Sequence, residues 1–222
     1  MCGRFSLATP IDDVAIMFDA EPLSDLTPFQ PSWNIAPQAH VPVITQHGVN
    51  GEDGVPRHLR SMKWGLRPSW AKPSHQEPIN ARLESVLEKP MFRSSFQRRR
   101  CAVPADGWYE WMTTPQGKVP WYHHRPDGLC SLLAGIWDTW TTEEATVESF
   151  ALLTRPANED CEPVHHRMPV LVEQDELQAW LEGGEVPPLP KSGTVERYVV
   201  SREVNRTGED HQGLIRRIPT LF

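Results

Sequence analysis

Apolar residues recur at three- and four-residue intervals in the stretch Ile11–Phe18, which places them on one face of a helix. The preceding Thr9 and Pro10 suit an N-cap and the first helical position. We therefore predict a helix that begins here and buries one side. Shorter helices are predicted over residues 81–88, 91–99 and 174–182.

Much of the remaining chain has the alternating, β-branched and aromatic pattern that is typical of strands. The predicted strands cover residues 41–45, 58–62, 101–103, 108–112, 119–123, 129–137, 149–154, 168–172 and 195–204. The polar stretch Gly48–Pro56 is predicted to be a hairpin tip. Strands and helices are interspersed without regular alternation. We therefore predict one α+β domain over residues 2–222, with a mostly antiparallel, bifurcated or barrel-like β-sheet surrounded by short helices.

Composition narrows the class of protein. A length of 222 residues suffices for one sizeable core, and no run approaches the roughly 20 apolar residues of a membrane span. Four widely spaced cysteines are too few for a disulfide scaffold, which favours a reducing cytoplasm. A net charge of −7 argues against nonspecific coating of nucleic acid but leaves room for a local basic cleft. We expect a cytoplasmic protein without a membrane span.

Cys2 directly follows Met1, and removal of Met1 would make it an N-terminal cysteine. Its amine and thiol would then lie on adjacent carbons, so the amine can condense with an aldehyde and the thiol can close a five-membered thiazolidine. Both groups titrate near neutrality, at about 7.7–8.0 for an α-amine and about 8.5 for a cysteine. The alternative is that residue 2 lies in a frayed terminus and has no function.

Two other positions offer groups that can transfer protons. Glu110 lies among aromatic residues on a predicted strand, where burial would raise its pKa and suit a general acid or base. His165 carries an imidazole that titrates near neutrality. The alternatives are that Glu110 is an exposed strand residue that makes a cross-strand pair, and that His165 and His166 are two surface histidines in a loop. Cys161 and His165, with His123-His124, have tolerable spacing for zinc but no supporting motif, and we expect no metal.

Amide, guanidinium and indole groups are candidates for nucleic-acid binding. Asn80 and Arg82 combine an orienting amide with a phosphate clamp, although Asn80 also suits a helix N-cap. Trp70 could stack on a base, which is worth about 1–3 kcal/mol, or belong to the core. The basic stretch from Arg93 to Arg100 could track a phosphate backbone or form a solvated helix face.

Several short motifs follow one another along the chain. They are Met1-Cys2-Gly3-Arg4-Phe5, Trp33-Asn34-Ile35-Ala36-Pro37, Trp64-Gly65-Leu66, Asn80-Ala81-Arg82-Leu83-Glu84, Arg100 to Trp111, Ala134-Gly135-Ile136-Trp137 and His165-His166-Arg167-Met168-Pro169. In this order the set resembles the SOS-response-associated peptidase family, whose bacterial and animal members protect abasic sites in single-stranded DNA. The resemblance runs from residue 2 to about residue 172 and is weak beyond it. Gly48–Pro56 looks like a local extension.

This resemblance implies a reaction at Cys2 on single-stranded DNA that contains abasic sites. The amine would attack the open-chain aldehyde and the thiol would close a thiazolidine, giving a DNA–protein crosslink that shields the lesion. By similarity, Asn80 would orient the amino terminus, Glu110 would exchange protons with the amine and the leaving hydroxyl, and His165 would assist opening of the sugar ring. The imine stage would also permit weak lyase activity, and self-cleavage could expose Cys2, although a methionine aminopeptidase explains that product more simply.

The resemblance also implies a DNA-contacting surface and a shaped pocket. The phosphate contacts would be Arg4, Arg82 and Arg167. Trp70 would stack or wedge beside the lesion, and Asn34 and Pro37 would shape the pocket around Cys2. We expect a monomer that needs no cofactor and that is associated with the nucleoid when bound to damaged DNA.

Two other classes of protein remain open. Hydrolases with an N-terminal nucleophile, of the glutamine amidotransferase type, also begin with Met-Cys-Gly, and Cys2 would then attack a glutamine amide. A noncatalytic module for single-stranded DNA would use the basic and aromatic residues without Cys2. Ammonia release from glutamine is expected only of the first class, and a covalent DNA adduct is expected of neither.

Overall fold

Two β-sheets form the framework of the computed structural model, which describes residues 2–24, 26, 29–46, 55–72 and 74–219. The strands are β1 (Phe5–Leu7), β2 (Ala20–Pro22), β3 (Ser32–Ile35), β4 (His40–Thr45), β5 (Arg57–Trp64), β6 (Asn80–Arg82), β7 (Arg100–Ala105), β8 (Gly107–Thr114), β9 (Gly117–His124), β10 (Ser131–Thr141), β11 (Thr146–Pro156), β12 (Arg167–Pro169), β13 (Leu171–Val172) and β14 (Glu196–Val199). The α-helices are α1 (Ile11–Phe18), α2 (Pro90–Arg98) and α3 (Leu177–Leu181). Short 3-10 helices cover Leu83–Ser85, Gln174–Glu176, Arg202–Asn205 and Gln212–Ile215.

Strands of the larger sheet close into a ring in the order β4, β5, β11, β10 and β7, because β7 pairs again with β4. The β5–β11 pair is parallel, and the other pairs of the ring are antiparallel. Closure leaves these strands without an open edge along the paired residues. The predicted α+β fold with a mostly antiparallel, barrel-like sheet is confirmed.

The second sheet has the strand order β14, β9, β8, β1 and β3, and it places the amino terminus beside β8. Phe5 of β1 pairs antiparallel with Trp108 of β8. Because the pair is antiparallel, the residues that precede Phe5 run alongside those that follow Trp108. This register brings Cys2 to the part of β8 that carries Glu110.

Trp64 joins the barrel to the second sheet. The centroid of its ring lies 5.1 Å from that of Phe5 in an edge-to-face contact and 6.4 Å from that of Phe150 in a stacked contact. All three side chains are fully buried. Because loss of such a ring costs about 3–5 kcal/mol, this contact anchors β1 and the residues just ahead of it.

The helix predicted at residue 11 is confirmed as α1, but its predicted cap is wrong. The hydroxyl of Thr9 donates to Asp106 Oδ1 at 2.6 Å, so it does not cap the helix. Pro10 occupies the cap position without a side-chain hydrogen bond. The carboxylate of Asp106 also accepts from the amide of Ala8, which explains why Thr9 turns away from the helix.

The helix predicted over residues 81–88 is wrong. Asn80–Arg82 forms β6 instead, which pairs in parallel with Leu152–Thr154 of β11, and a 3-10 turn follows. The helix N-cap alternative for Asn80 is therefore also wrong. Backbone pairing with a buried strand outweighs the good helix propensity of this stretch.

Other predicted elements are confirmed with changed bounds. The helices predicted at 91–99 and 174–182 are present as α2 and as a 3-10 turn followed by α3. The strand predicted at 168–172 divides into β12 and β13, and the one predicted at 195–204 ends at Val199. The antiparallel β4–β5 pair fits the predicted hairpin, although most of its tip, Gly48–Pro56, lies outside the described residues. Within the described ranges, no helix is long and apolar enough to cross a membrane.

Candidate active site around Cys2

Cys2 lies inside the protein, so the interpretation as a frayed terminus is wrong. The residue is 0% exposed, and its carbonyl oxygen accepts a hydrogen bond of 2.7 Å from Asn80 Nδ2. Its Sγ lies 4.0 Å from the carbonyl oxygen of Arg4. Burial, and secondarily the charge of Glu110, raises the pKa of the Cys2 thiol above its usual range.

Asn80 reaches Cys2 from β6, on the edge that pairs with Leu152 of β11. While its Nδ2 donates to Cys2, its Oδ1 is buried and has no hydrogen-bond partner among the residues that the structure describes. A buried acceptor of this kind favours a donor such as an amine. Asn80 is therefore placed to hold both the backbone of residue 2 and an approaching N–H or O–H group.

Glu110 lies on β8, next to the path of the amino terminus, and is 3% exposed. Burial raises the pKa of its carboxyl to about 7. Near neutral pH such a group exists in both protonation states, which suits a general acid and base. Its charge also acts on the Cys2 thiol, which places the two groups in one electrostatic environment.

His165 follows a turn-rich loop, and its Nδ1 lies 3.0 Å from the backbone amide of Arg167 and 3.2 Å from the carbonyl oxygen of the same residue. The amide donates to Nδ1 in one tautomer of the neutral ring, and Nδ1 donates to the carbonyl in the other. Burial lowers the pKa of His165, which favours the neutral ring. A neutral imidazole has one N–H donor and one acceptor nitrogen, so His165 can donate a proton or accept one.

Asp160 fixes the loop that carries His165. Its carboxylate accepts hydrogen bonds from the backbone amides of Gly193 at 3.0 Å and Val195 at 3.1 Å. The backbone amide of His165 in turn donates to Cys161 O at 3.1 Å. The position of the imidazole thus depends on a segment close to β14.

Arg167 is buried and bonded within the protein. Its Nη1 and Nη2 contact the two carboxylate oxygens of Glu84 at 2.5 and 3.0 Å, and Nη2 donates to Thr154 O at 2.6 Å. These bonds to Arg167 lower the pKa of Glu84. Because Glu84 follows β6 and Arg167 follows His165, the pair ties the segment of Asn80 to that of His165.

Arg4 is also buried, at 9% exposure. Its Nη1 donates to Asn34 Oδ1 at 2.6 Å and to Val204 O at 2.8 Å. Asn34 is buried on β3, whereas Pro37 lies in an exposed turn after that strand. The phosphate-binding roles predicted for Arg4 and Arg167 stay predictions, as does the pocket-shaping role of Asn34 and Pro37.

Arg82 and Trp70 lie at the surface. Arg82 is exposed and stands two residues after Asn80 on β6, so the two side chains share one face of the strand. Trp70 is 54% exposed, and its ring lies edge-on to His75 with 5.5 Å between the ring centroids. The amide of the preceding Ser69 donates to Asp138 Oδ2 at 3.1 Å, which anchors the loop.

The residues considered for zinc do not come together as a metal site. In the described part of the chain, no group of three or more histidine, cysteine or acidic side chains could hold a metal ion. His123 is fully buried and stacks on Trp108 with 5.3 Å between centroids. Burial lowers its pKa to about 3, so it remains neutral.

Sequence reasoning missed two parts of the site. Glu84 belongs to a motif used above, but nothing in that motif shows that its partner is Arg167. The contacts of Arg4 and Asn34 with residues beyond Val199 were also missed, because they join positions far apart in the chain. The signal available in the sequence was that polar and charged residues occur in separate motifs, which does not tell which of them are in contact.

Comparisons with known proteins identify the family of the chain. The family described as SOS response associated peptidase (SRAP) matches residues 1–207, so the match continues past residue 172, where the sequence motifs end. Abasic site processing protein YoaM of Bacillus subtilis (strain 168) is 33% identical over 217 residues, which cover 92% of this chain and 93% of that protein. Abasic site processing protein HMCES of Xenopus tropicalis is 32% identical over 191 residues, which cover 73% of this chain and 57% of that protein.

A solved structure gives independent support for the fold. A crystal structure of a protein from Bacteroides thetaiotaomicron matches with a TM-score of 0.85 at 21% identity, and the match covers 98% of this chain and 100% of that one. The family match spans the elements that carry Cys2, Asn80, Glu110 and His165. The chain belongs to the SOS response associated peptidase (SRAP) family.

Proposed function

We propose that this protein recognises abasic sites in single-stranded DNA and captures them covalently through Cys2 after removal of Met1. The observation that carries the proposal is the burial of Cys2 beside Asn80 and beside Glu110, whose pKa is raised to about 7 by burial. Relatives across most of the chain are named abasic site processing proteins, which supports the choice of substrate.

The reaction proceeds through an imine. The amine of Cys2 attacks the aldehyde carbon of the opened abasic sugar, and loss of one water molecule leaves a C=N bond. The Cys2 sulfur then bonds to that carbon while the thiol proton passes to the nitrogen, which closes the thiazolidine. The net change is one new C–N bond, one new C–S bond and the release of one water. The imine intermediate also permits weak β-elimination of the DNA strand.

The neighbouring groups handle the protons. Protonated Glu110 donates to the leaving hydroxyl during loss of water, and ionised Glu110 accepts a proton from the attacking amine. A carboxyl with a pKa of about 7 is present in both forms near neutral pH. In the tautomer whose Nδ1 accepts from the Arg167 amide, His165 donates from Nε2 to the ring oxygen of the closed sugar. Asn80 Oδ1 accepts from the amine.

DNA reaches the site along the exposed side chains. Trp70 stacks in the space left by the missing base, and Arg82 contacts a phosphate close to Asn80. Single-stranded DNA is the substrate because an open, unpaired strand can present the aldehyde to a buried cysteine. The protein acts as a cytoplasmic monomer at the nucleoid and needs no cofactor.

The test uses abasic single-stranded DNA, protein without Met1, and denaturing gels. Cys2→Ala keeps the amine, so it should form only an imine, which is trapped by cyanoborohydride but lost on the gel without it. Wild type should form a stable adduct without reductant. Cys101→Ala is the matched control, because it removes another fully buried cysteine on β7 and should crosslink as wild type does.

Two outcomes would contradict the proposal. A stable crosslink of Cys2→Ala without reductant would show that the sulfur is not needed. Full activity of protein that keeps Met1 would show that the amine is not needed. Release of ammonia from glutamine, without a DNA adduct, would instead favour a hydrolase with an N-terminal nucleophile.

A further inference from the structure

Cys2 precedes the first strand of the protein, so strand pairing alone does not hold it in place. We infer that the C-terminal segment, residues 200–215, positions Cys2 for capture by holding Arg4 through Asn34. In this inference Arg4 and Asn34 are positioning residues. The inference rests on the proposed function, because positioning matters only where Cys2 reacts.

Arg4 links the segment to the amino terminus. Its side chain donates to Val204 O at 2.8 Å, while its backbone carbonyl accepts from the amide of Tyr109 at 2.9 Å. Cys2 Sγ lies 4.0 Å from that same carbonyl oxygen. The backbone of residues 2–4 is therefore held at Arg4 on one side and by Asn80 at Cys2 on the other.

Asn34 connects Arg4 to three carbonyl groups of the segment. Its Oδ1 accepts from Arg4 Nη1 at 2.6 Å. Its Nδ2 lies 2.6 Å from Glu209 O, 3.0 Å from Arg206 O and 3.4 Å from Val204 O. These donations fix the orientation of the amide, so Oδ1 must face Arg4. Glu209 lies beyond residue 207, where the family match ends.

The segment has its own attachment to the second sheet. Val204 and Leu214 are fully buried in a small cluster with Tyr109 and Tyr122. Asp210 Oδ1 accepts from the amide of Trp33 at 2.6 Å. The segment can therefore serve as a fixed support, since its position does not depend on Arg4 alone.

The guanidinium of Arg4 lies in surroundings that are unusual for a residue that contacts phosphate. Burial lowers its pKa, and among the described residues no carboxylate lies within ion-pair distance of its guanidinium. Neutral acceptors, Asn34 Oδ1 and Val204 O, hold Nη1 instead. Because these contacts lie within the protein, Arg4 affects Cys2 whether or not DNA is present. A substrate that contains no phosphate therefore distinguishes a positioning role of Arg4 from a role in binding phosphate.

The experiment uses glycolaldehyde, an aldehyde without phosphate, and the full chain lacking Met1. Intact mass spectrometry follows the gain of one aldehyde minus one water at Cys2. The variants are Asn34→Ala and Arg4→Gln, and the peptide Cys-Gly-Arg-Phe gives the rate of an unfolded amino terminus. Arg57→Gln is the matched control, because it also removes a 2.8 Å hydrogen bond from a guanidinium to a backbone carbonyl, that of Phe18, and lies outside the C-terminal segment.

We expect wild type to capture glycolaldehyde faster than the peptide. Both variants should be slower than wild type by about tenfold, and Arg57→Gln should stay within about twofold. Thermal unfolding shows whether each variant is folded, and two independent variants keep the test valid if one is not. The affinity of each variant for intact single-stranded DNA is measured in parallel.

The outcomes separate the two claims. Capture of glycolaldehyde at the wild-type rate by Asn34→Ala and Arg4→Gln would overturn the inference that these residues position Cys2. If Arg4→Gln then also bound DNA more weakly, Arg4 would be assigned a phosphate contact. An equal loss of rate in Arg57→Gln would also overturn it, because general destabilisation would explain the effect. Absence of any adduct in wild type, with DNA as well as glycolaldehyde, would instead refute the proposed function.

Discussion

Glu110→Gln keeps the shape of the neutral carboxyl and removes its ability to ionise. Burial raises the pKa of Glu110 from an ordinary value of 4.5 to about 7, and one pKa unit corresponds to about 1.4 kcal/mol. Because the pKa of Glu110 is raised in the folded state, the stabilising contribution of this carboxyl is present at low pH. It is lost as the pH rises through about 7. Wild type therefore loses about 3 kcal/mol from this group between about pH 4 and pH 8.

The variant has no such loss. Urea titrations at two pH values should give the difference in free energy of unfolding, variant minus wild type. This difference should be about 2 to 3 kcal/mol larger near pH 8 than near pH 5. The rate of aldehyde capture at neutral pH should fall by about 10²-fold or more, because a general acid and base is removed. Glu21→Gln, which changes an exposed residue of β2, should shift stability by less than about 0.5 kcal/mol at either pH.

A difference in stability that does not change between the two pH values would refute this account of Glu110. The carboxyl would then titrate at its ordinary value, and it would be fully ionised at neutral pH. It could not donate a proton during loss of water. Capture at the wild-type rate in Glu110→Gln would contradict its chemical role separately.

Two further changes test other parts of the site. Glu84→Gln should lower the free energy of unfolding by about 1–2 kcal/mol in urea titrations, because the buried Arg167 loses its charged partner, and this difference should shrink in acid as wild-type Glu84 becomes protonated. An unchanged stability at neutral pH would show that the pair does not tie the two segments together. Trp70→Ala, compared with wild type in protein that keeps Met1 and so does not crosslink, should weaken binding to abasic single-stranded DNA by about 1–3 kcal/mol in fluorescence titrations. Stability should change by less than about 0.5 kcal/mol, since the ring is 54% exposed. Equal affinity of wild type and Trp70→Ala would exclude the predicted stacking.

Local patterns predict much of the fold because they report which residues must be buried. The period of α1 and the aromatic runs of β8 to β11 are of this kind. β6 was missed because its sequence suits a helix, and only pairing with β11 makes it a strand. The end of β14 was also missed, although its signal is local: the side chain of Ser201 accepts from the amide of Glu203 and caps the 3-10 helix Arg202–Asn205.

The chemical character of the site could be predicted, but its assembly could not. The reactivity of Cys2 follows from its place next to Met1, whereas its proximity to Glu110 depends on the register between β1 and β8. Residue type also does not reveal the partner of a guanidinium. Arg4 and Arg167 suit phosphates equally well by sequence, yet each is held by groups of the protein itself.

The central claim is that one carbon of the abasic site becomes bonded to both nitrogen and sulfur of Cys2. DNA labelled with ¹³C at the aldehyde carbon, crosslinked to protein without Met1, tests this directly by NMR. We predict a tetrahedral carbon resonance coupled to the ¹⁵N-labelled nitrogen of Cys2, and an intact mass equal to protein plus DNA minus one water. A trigonal imine carbon, or a labelled carbon without coupling to that nitrogen, would contradict the account.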